Sequence, residues 1–173
     1  MDHLHQRPAP GEYLEYYGKY IALVPTGDIS VILRDQLEDT RAVLRSVPPG
    51  AGDSAYAAGK WTIKEVVSHI NDTERMFTFR ALWFARGLPS PLPSFDQDVA
   101  LAGAHADERP WREHIDEFRV VRAASLALFE PLTDDAWSKR GTASGNPVSV
   151  RALAYITAGH VTHHALLLKE RYL

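Results

Sequence analysis

Apolar residues recur at helical spacing in four stretches of the chain, with polar residues between them. In residues 28–47 the apolar positions are Ile29, Ile32, Leu33, Leu37, Val43, Leu44 and Val47. Their three- and four-residue steps predict an amphipathic helix. Asp28 stands where an N-cap is expected, and Pro48, Pro49 and Gly50 end the pattern. A second helix is predicted over 62–86, opened by the capping box Thr62-x-x-Glu65 and closed by Gly87 and Pro89. A third is expected over 108–130, with Pro110 in its first turn and Trp111, Ile115, Phe118, Val121, Leu126 and Phe129 on one face. The fourth covers 149–171 behind Ser149 as N-cap. Four segments of about 20 residues, each about 30 Å long as helix, predict an all-α four-helix bundle.

The connections carry a second pattern. Residues 87–107 begin Gly-Leu-Pro-Ser-Pro-Leu-Pro, too long for an idle loop, so a crossover or functional segment is expected there. Residues 132–148 form another long connection, and no strand pattern of useful length is read in either. Residues 1–27 are expected to be an N-terminal extension packing on a single bundle domain, 28–173, through Tyr13, Tyr16, Tyr17 and Tyr20 or to meet a partner with them.

Composition narrows the classes of function. With 45% hydrophobic and 24% charged residues the chain is expected to fold rather than stay disordered. A formal charge of −3 argues against a nucleic-acid partner. The N-terminus has no signal-peptide pattern, and no apolar run is long enough to span a membrane, so a cytoplasmic protein without membrane contact is expected. Zero cysteines exclude disulfides, thiolate metal sites and a Cys nucleophile from this sequence, while eight histidines remain to be explained.

His160 and His164 lie four residues apart on the stripe that carries Leu153, Ile156 and Leu167. One helical turn brings two such imidazoles to the same side, spaced to share a metal ion. Burying both in an apolar stripe without partners would cost free energy, which favours a site over two satisfied core histidines. His69 stands at the edge of the second helix's apolar face, in register with Thr73. Facing helices converge on a bundle core, so His69 is a candidate third ligand, with a plain boundary position as the alternative. His163 points away from the pair and is read as a neighbour. His3, His5, His105 and His114 are read as solvated residues.

Two known chemistries do not fit. Val161 follows His160, so the glutamate of a His-Glu-x-x-His zinc protease is missing. No Glu precedes a core-facing His by three residues, as carboxylate di-iron bundles require. A mononuclear three-imidazole site remains, suited to Zn, Ni, Fe(II) or Mn with open positions.

The block Trp61-Thr62-x-x-Glu65 continuing into His69-Ile70-x-Asp72-x-Glu74, and the terminal His160-x-x-His163-His164, resemble the DinB/YfiT-like superfamily, especially its DinB_2 branch. Weaker likeness lies at Arg80-Ala81-Leu82, Phe95-Asp96, Arg122-Ala123-Ala124 and residues 140–145, so the resemblance runs from about Gly59 to the C-terminus. It implies an up-down-down-up four-helix bundle, often a homodimer. It also implies one divalent metal, commonly nickel or zinc, on His69, His160 and His164. Relatives include enzymes that use bacillithiol or mycothiol in S-transfer or isomerisation, and others proposed as hydrolases. After His164 this chain reads Ala165-Leu166-Leu167 where many relatives have Arg-Gly-Gln, which suggests another sub-branch.

The expected function is therefore a metal-dependent enzyme acting on a small molecule, a thiol-dependent S-transferase or a hydrolase, whose thiol cosubstrate would come from outside this chain. The alternative is a non-catalytic metal- or ligand-binding module in which the ion cross-links helices; a third is a purely structural bundle. No general acid or base is assigned. Glu65 is expected to serve the helix cap, Asp72 and Glu74 could face solvent, and Trp61 is expected to staple the helix entry. Arg80 shares a helix face with His69 and Thr73, and a structural ion pair is the expected role, with an anion-holding role as the alternative.

Overall fold

The structure, a computed structural model, describes residues 6–173. Its helices are α1 (Gly18–Ile21), α2 (Ile29–Arg45), α3 (Ile63–Ala85), α4 (Gln97–Ala104), α5 (Trp111–Phe129), α6 (Asp134–Ser138) and α7 (Val150–Arg171), with strands β1 (Arg140–Ala143) and β2 (Asn146–Ser149) before α7. The predicted long helices appear as α2, α3, α5 and α7, because their starts are chemically marked. Asp28 accepts hydrogen bonds from the Ser30 and Val31 amides, the Thr62 and Glu65 side chains form the reciprocal capping box, and the Ser149 hydroxyl accepts from Ala152 N. Pro110 falls at the N-cap of α5 rather than within its first turn.

Around the bundle, α3 packs against α7 and α5, and α2 packs against the same two helices from the other side. The polar crosslinks give directions. Arg34 reaches Glu130 while Arg122 reaches Leu33 and Gln36, so α2 and α5 run antiparallel. Lys64 meets Asp107 just before α5 and Glu74 meets Arg122, so α3 and α5 run parallel. Tyr172 meets Trp61 and His160 meets His69, so α3 and α7 are antiparallel. The bundle is thus up-down-down-up. Two parallel neighbours, α3 and α5, need a crossover, which is why the connection after Gly87 is long and carries α4.

The second connection corrects the sequence reading, which found no strand there. β1 and β2 pair antiparallel with Ala143 opposite Asn146, leaving Ser144-Gly145 as a two-residue turn. Both turn residues have positive φ, +52° and +74°, as a type I′ hairpin turn demands. The hairpin lies close on α3: a Cβ on Gly141 would sit 2.0 Å from the Phe84 ring. Leu92 of the crossover bonds to this hairpin through Leu92 N to Thr142 O (2.8 Å) and Ser144 N to Leu92 O (3.2 Å).

Two buried clusters fill the bundle. One, at the hairpin end, centres on Phe77, Phe84, Leu153 and Ile156; the other holds Leu44, Ile63, Val67, Ile70 and Val161. Between them a charged network crosses the interior. Arg122 bonds Glu74 through both carboxylate oxygens (2.7 and 2.9 Å), with side-chain exposures of 0% and 1%. Ser125 donates to Glu74, and Arg122 also donates to Leu33 O and to Gln36, which donates in turn to Ala158 O and Thr162. Glu74 is therefore not solvent-facing. No helix among the described residues is long and apolar enough to cross a membrane.

Candidate metal centre

Midway along the antiparallel pair α3 and α7, the chain places three imidazoles at the junction of the two apolar clusters. His160 and His164 stand one turn apart on α7, with Nε2 atoms 3.1 Å apart, and His69 Nε2 on α3 lies 3.1 Å from His160 Nε2. All three residues are buried, and their candidate ligand atoms lie within 4.8 Å of one another. Bonds of about 2.0–2.1 Å from one ion to imidazole nitrogens would put those nitrogens about 2.9–3.4 Å apart for angles between right-angled and tetrahedral. The His69–His160 and His160–His164 separations both fall in that interval.

Charge and hydrogen bonding agree with this fit. Burial lowers the pKa of His69 to about 4, with Asp98 opposing slightly. Burial and then the neighbouring imidazoles lower His164 to about 3, and the same causes hold His160 well below its ordinary value. At neutral pH all three rings are uncharged and offer lone pairs. Thr73 Oγ1 lies 3.3 Å from His69 Nδ1, so a proton on that nitrogen has an acceptor and Nε2 is free to ligate. His160 Nε2 cannot satisfy two neighbouring lone pairs with one proton, whereas a cation satisfies all three at once.

Aromatic rings flank the site. Trp61 lies 4.9 Å from the His69 ring, Tyr20 5.4 Å and Phe77 6.0 Å from that of His160. Trp61 therefore covers a ligand candidate as well as packing against the cluster that holds Val66. Tyr20 arrives because α1 backs directly onto α7 at Gly159, where an added Cβ would stand 2.0 Å from Tyr20 O. Farther along the N-terminal segment Glu12 is buried and accepts from Ser149 and Arg151, tying that segment to the start of α7. A cleft opens on His69 and His160, walled by Tyr16, Tyr17 and Tyr20 of the N-terminal segment and by Phe95 and Gln97 of the crossover.

The remaining histidines sort differently. His163 lies beside His164 and Tyr20 and stays outside the cluster. His105 is exposed and faces Glu108. His114 corrects the solvated reading: it is fully buried, its Nε2 2.9 Å from Ala106 O. His3 and His5 lie outside the described residues. Arg80 is a second correction: among the described residues it has no carboxylate partner, and Nη2 donates instead to Pro93 O (2.9 Å) and Ser144 Oγ (3.0 Å). The tyrosines' role at the site was not legible beyond their helical spacing at 13, 16, 17 and 20, and the hairpin was signalled only by Ser144-Gly145.

No curated protein sequence matches the chain. Among solved structures it is similar to YfiT from Bacillus subtilis, described as a probable metal-dependent hydrolase with an unusual four-helix bundle topology. The TM-score is 0.70 at 15% identity, covering 98% of this chain and 95% of that one. It is also similar to a mycothiol-dependent maleylpyruvate isomerase, with a TM-score of 0.69 at 16% identity, covering 84% of this chain. The match spans 61% of the isomerase's length. At these identities the likeness speaks for the fold. The family model for the DinB superfamily matches residues 32–168, a stretch that contains α3, most of α7 and all three clustered histidines, and the chain belongs to that superfamily.

Proposed function

We propose that the protein is a mononuclear divalent-metal enzyme acting on a small molecule, with His69, His160 and His164 as the metal ligands. The observation that carries this reading is the convergence of three buried, neutral imidazoles, two of which, His69 and His160, line a cleft. Among the described residues no fourth His, Asp or Glu joins the group, which leaves coordination positions toward the cleft for exogenous ligands. Nickel or zinc suits the all-imidazole donor set, with Fe(II) or Mn as alternatives. A bound ion there supplies Lewis acidity and lowers the pKa of a water or thiol that it holds.

The chain's own residues do the rest. Thr73 orients the His69 ring, Trp61 and Phe77 exclude water from its walls, and Tyr16 and Tyr20 present hydroxyls 3.4 Å apart near its mouth. S-transfer to or from a low-molecular-weight thiol, and hydrolysis, are the two reactions proposed, with a homodimer as the working assembly. The open cleft favours turnover over a purely cross-linking ion.

Elemental analysis of the purified protein tests the site, and His160→Ala tests the ligands. The expected result is about one divalent ion per chain, lost in the variant together with turnover on a panel of thiols with electrophiles or of hydrolysable esters and amides. No bound metal, with unchanged melting in His160→Ala, sinks the metal centre. Bound metal without metal-dependent turnover on either panel favours the non-catalytic module.

A further inference from the structure

The cleft that begins at His69 and His160 ends at a cation. Arg80 lies on α3 three turns beyond His69, about 16 Å along the helix axis, and its long side chain leans back toward the N-terminal end and the histidines. Both line the same cleft. Arg80 is only 5% exposed, and among the described residues its guanidinium is held by backbone and hydroxyl oxygens alone. Asp98 is near enough to influence His69, yet no hydrogen bond or ion pair joins it to Arg80.

A buried guanidinium without a carboxylate carries an unbalanced charge at a desolvation cost. Burial indeed works against its charge, offset in part by the Tyr17 hydroxyl. Three separate segments are spent on keeping it in place. Pro93 belongs to the crossover, Ser144 to the hairpin turn and Tyr17 to the N-terminal segment, and Ser144 reaches Arg80 from a left-handed backbone conformation with φ +52°. Asn146 Nδ2 (2.8 Å to Ser144 O) and the Ser144 amide to Leu92 O brace that turn. A side chain needed only for packing would not require a charge there.

We infer that Arg80 is the anchor for a carboxylate on the substrate, which lies extended along the cleft with its reacting end at the three histidines. This inference rests on the proposed metal-dependent function and names its substrate class: a small, elongated molecule with a single acidic group remote from the reacting one. One guanidinium balances one carboxylate, and its planar fork matches that group's two oxygens.

The test uses two probe series that separate this idea from the metal site. For the metal-loaded protein, Kd is measured for ω-mercaptoalkanoates from propionate to hexanoate and for the mercapto-alcohols of equal length. The acids should bind about tenfold or more tightly than the alcohols at one preferred length, the worth of a charge-assisted hydrogen bond. Arg80→Gln should abolish the difference while leaving the alcohols' affinity unchanged, and Arg80→Lys should restore part of it. For the metal-free protein, hexanoate should raise Tm more than hexanol, again only with Arg80 present. Equal affinity of acid and alcohol in the unsubstituted protein overturns the inference even if Arg80→Gln fails to fold. So does retention of the acid's advantage in Arg80→Gln, or tighter binding of a mercaptoalkyl phosphonate than of the carboxylate. If no thiol engages the metal but hexanoate still stabilises through Arg80, the thiol-dependent reading fails and the anion subsite stands.

Discussion

Gly159 shows how much one missing methyl group can decide. It precedes His160 on α7, and the backbone of Tyr20 occupies the space a Cβ would need, with Tyr20 O 2.0 Å and Tyr20 C 2.4 Å from it. Neither contact can be relieved by a side-chain rotation, because both atoms are main chain. Gly159→Ala is therefore expected to lever α1 off α7, with a loss of about 1–3 kcal/mol despite alanine's better helix propensity. The Tyr20 ring would leave the His160 ring with it. Thermal melting and metal affinity measured together check this: both should fall, and a variant that melts like the parent with full affinity contradicts the contact. A glycine in a helix reads in sequence only as a weak spot. The partner that makes it necessary sits more than a hundred residues earlier in the chain.

At the scale of elements, the capping signals and apolar periods of the long helices were readable because each is local. Asp28, Thr62 with Glu65, and Ser149 all act within one helical turn of themselves. The hairpin was missed because four-residue strands carry too few positions for an alternating pattern, and its docking on Phe84 and Leu92 is long-range. Glu74 was misread for a related reason: its buried partner Arg122 lies on another helix. Breaking that pair tests the helix–helix seam. Arg122→Leu leaves a buried carboxylate uncompensated and is expected to cost about 3–5 kcal/mol, whereas Glu74→Leu combined with Arg122→Leu should be markedly less damaging than either change alone. Denaturant melts of the three variants decide it. Simple additivity would mean that the two groups do not act as a pair.

For the whole molecule, the buried three-histidine cluster links stability to pH. In metal-free protein the folded state holds His69 with a pKa of about 4 and His164 of about 3, while unfolded histidine titrates near its ordinary value of 6.5. The unfolded state therefore binds more protons in between. Stability from these groups is complete above about pH 6.5 and declines as pH falls through 4 and toward 3. Chelator-treated protein should lose melting temperature as pH is lowered from 6.5 to 5, before most carboxylates titrate, and His69→Gln should flatten that slope. A flat profile over this range in the unsubstituted protein would contradict the buried, neutral state of the cluster. Bound metal competes with those protons and should raise Tm at every pH where it remains bound.

The order and lengths of the four helices, their caps, the absence of any thiol from this sequence and the pairing of His160 with His164 were determined by the sequence, since each depends on residue identity and on spacing within a few turns. His69 was legible as a candidate, but periodicity alone left it at a boundary; only the antiparallel packing of α3 on α7 brings its Nε2 to 3.1 Å from that of His160. Tertiary structure also decided that Arg80 faces a hydroxyl and a carbonyl rather than a carboxylate, that Tyr20 caps the site, and that a hairpin turn completes the far end of the cleft. Those outcomes join residues tens of positions apart, and no local pattern encodes which distant groups a packed bundle will bring into contact.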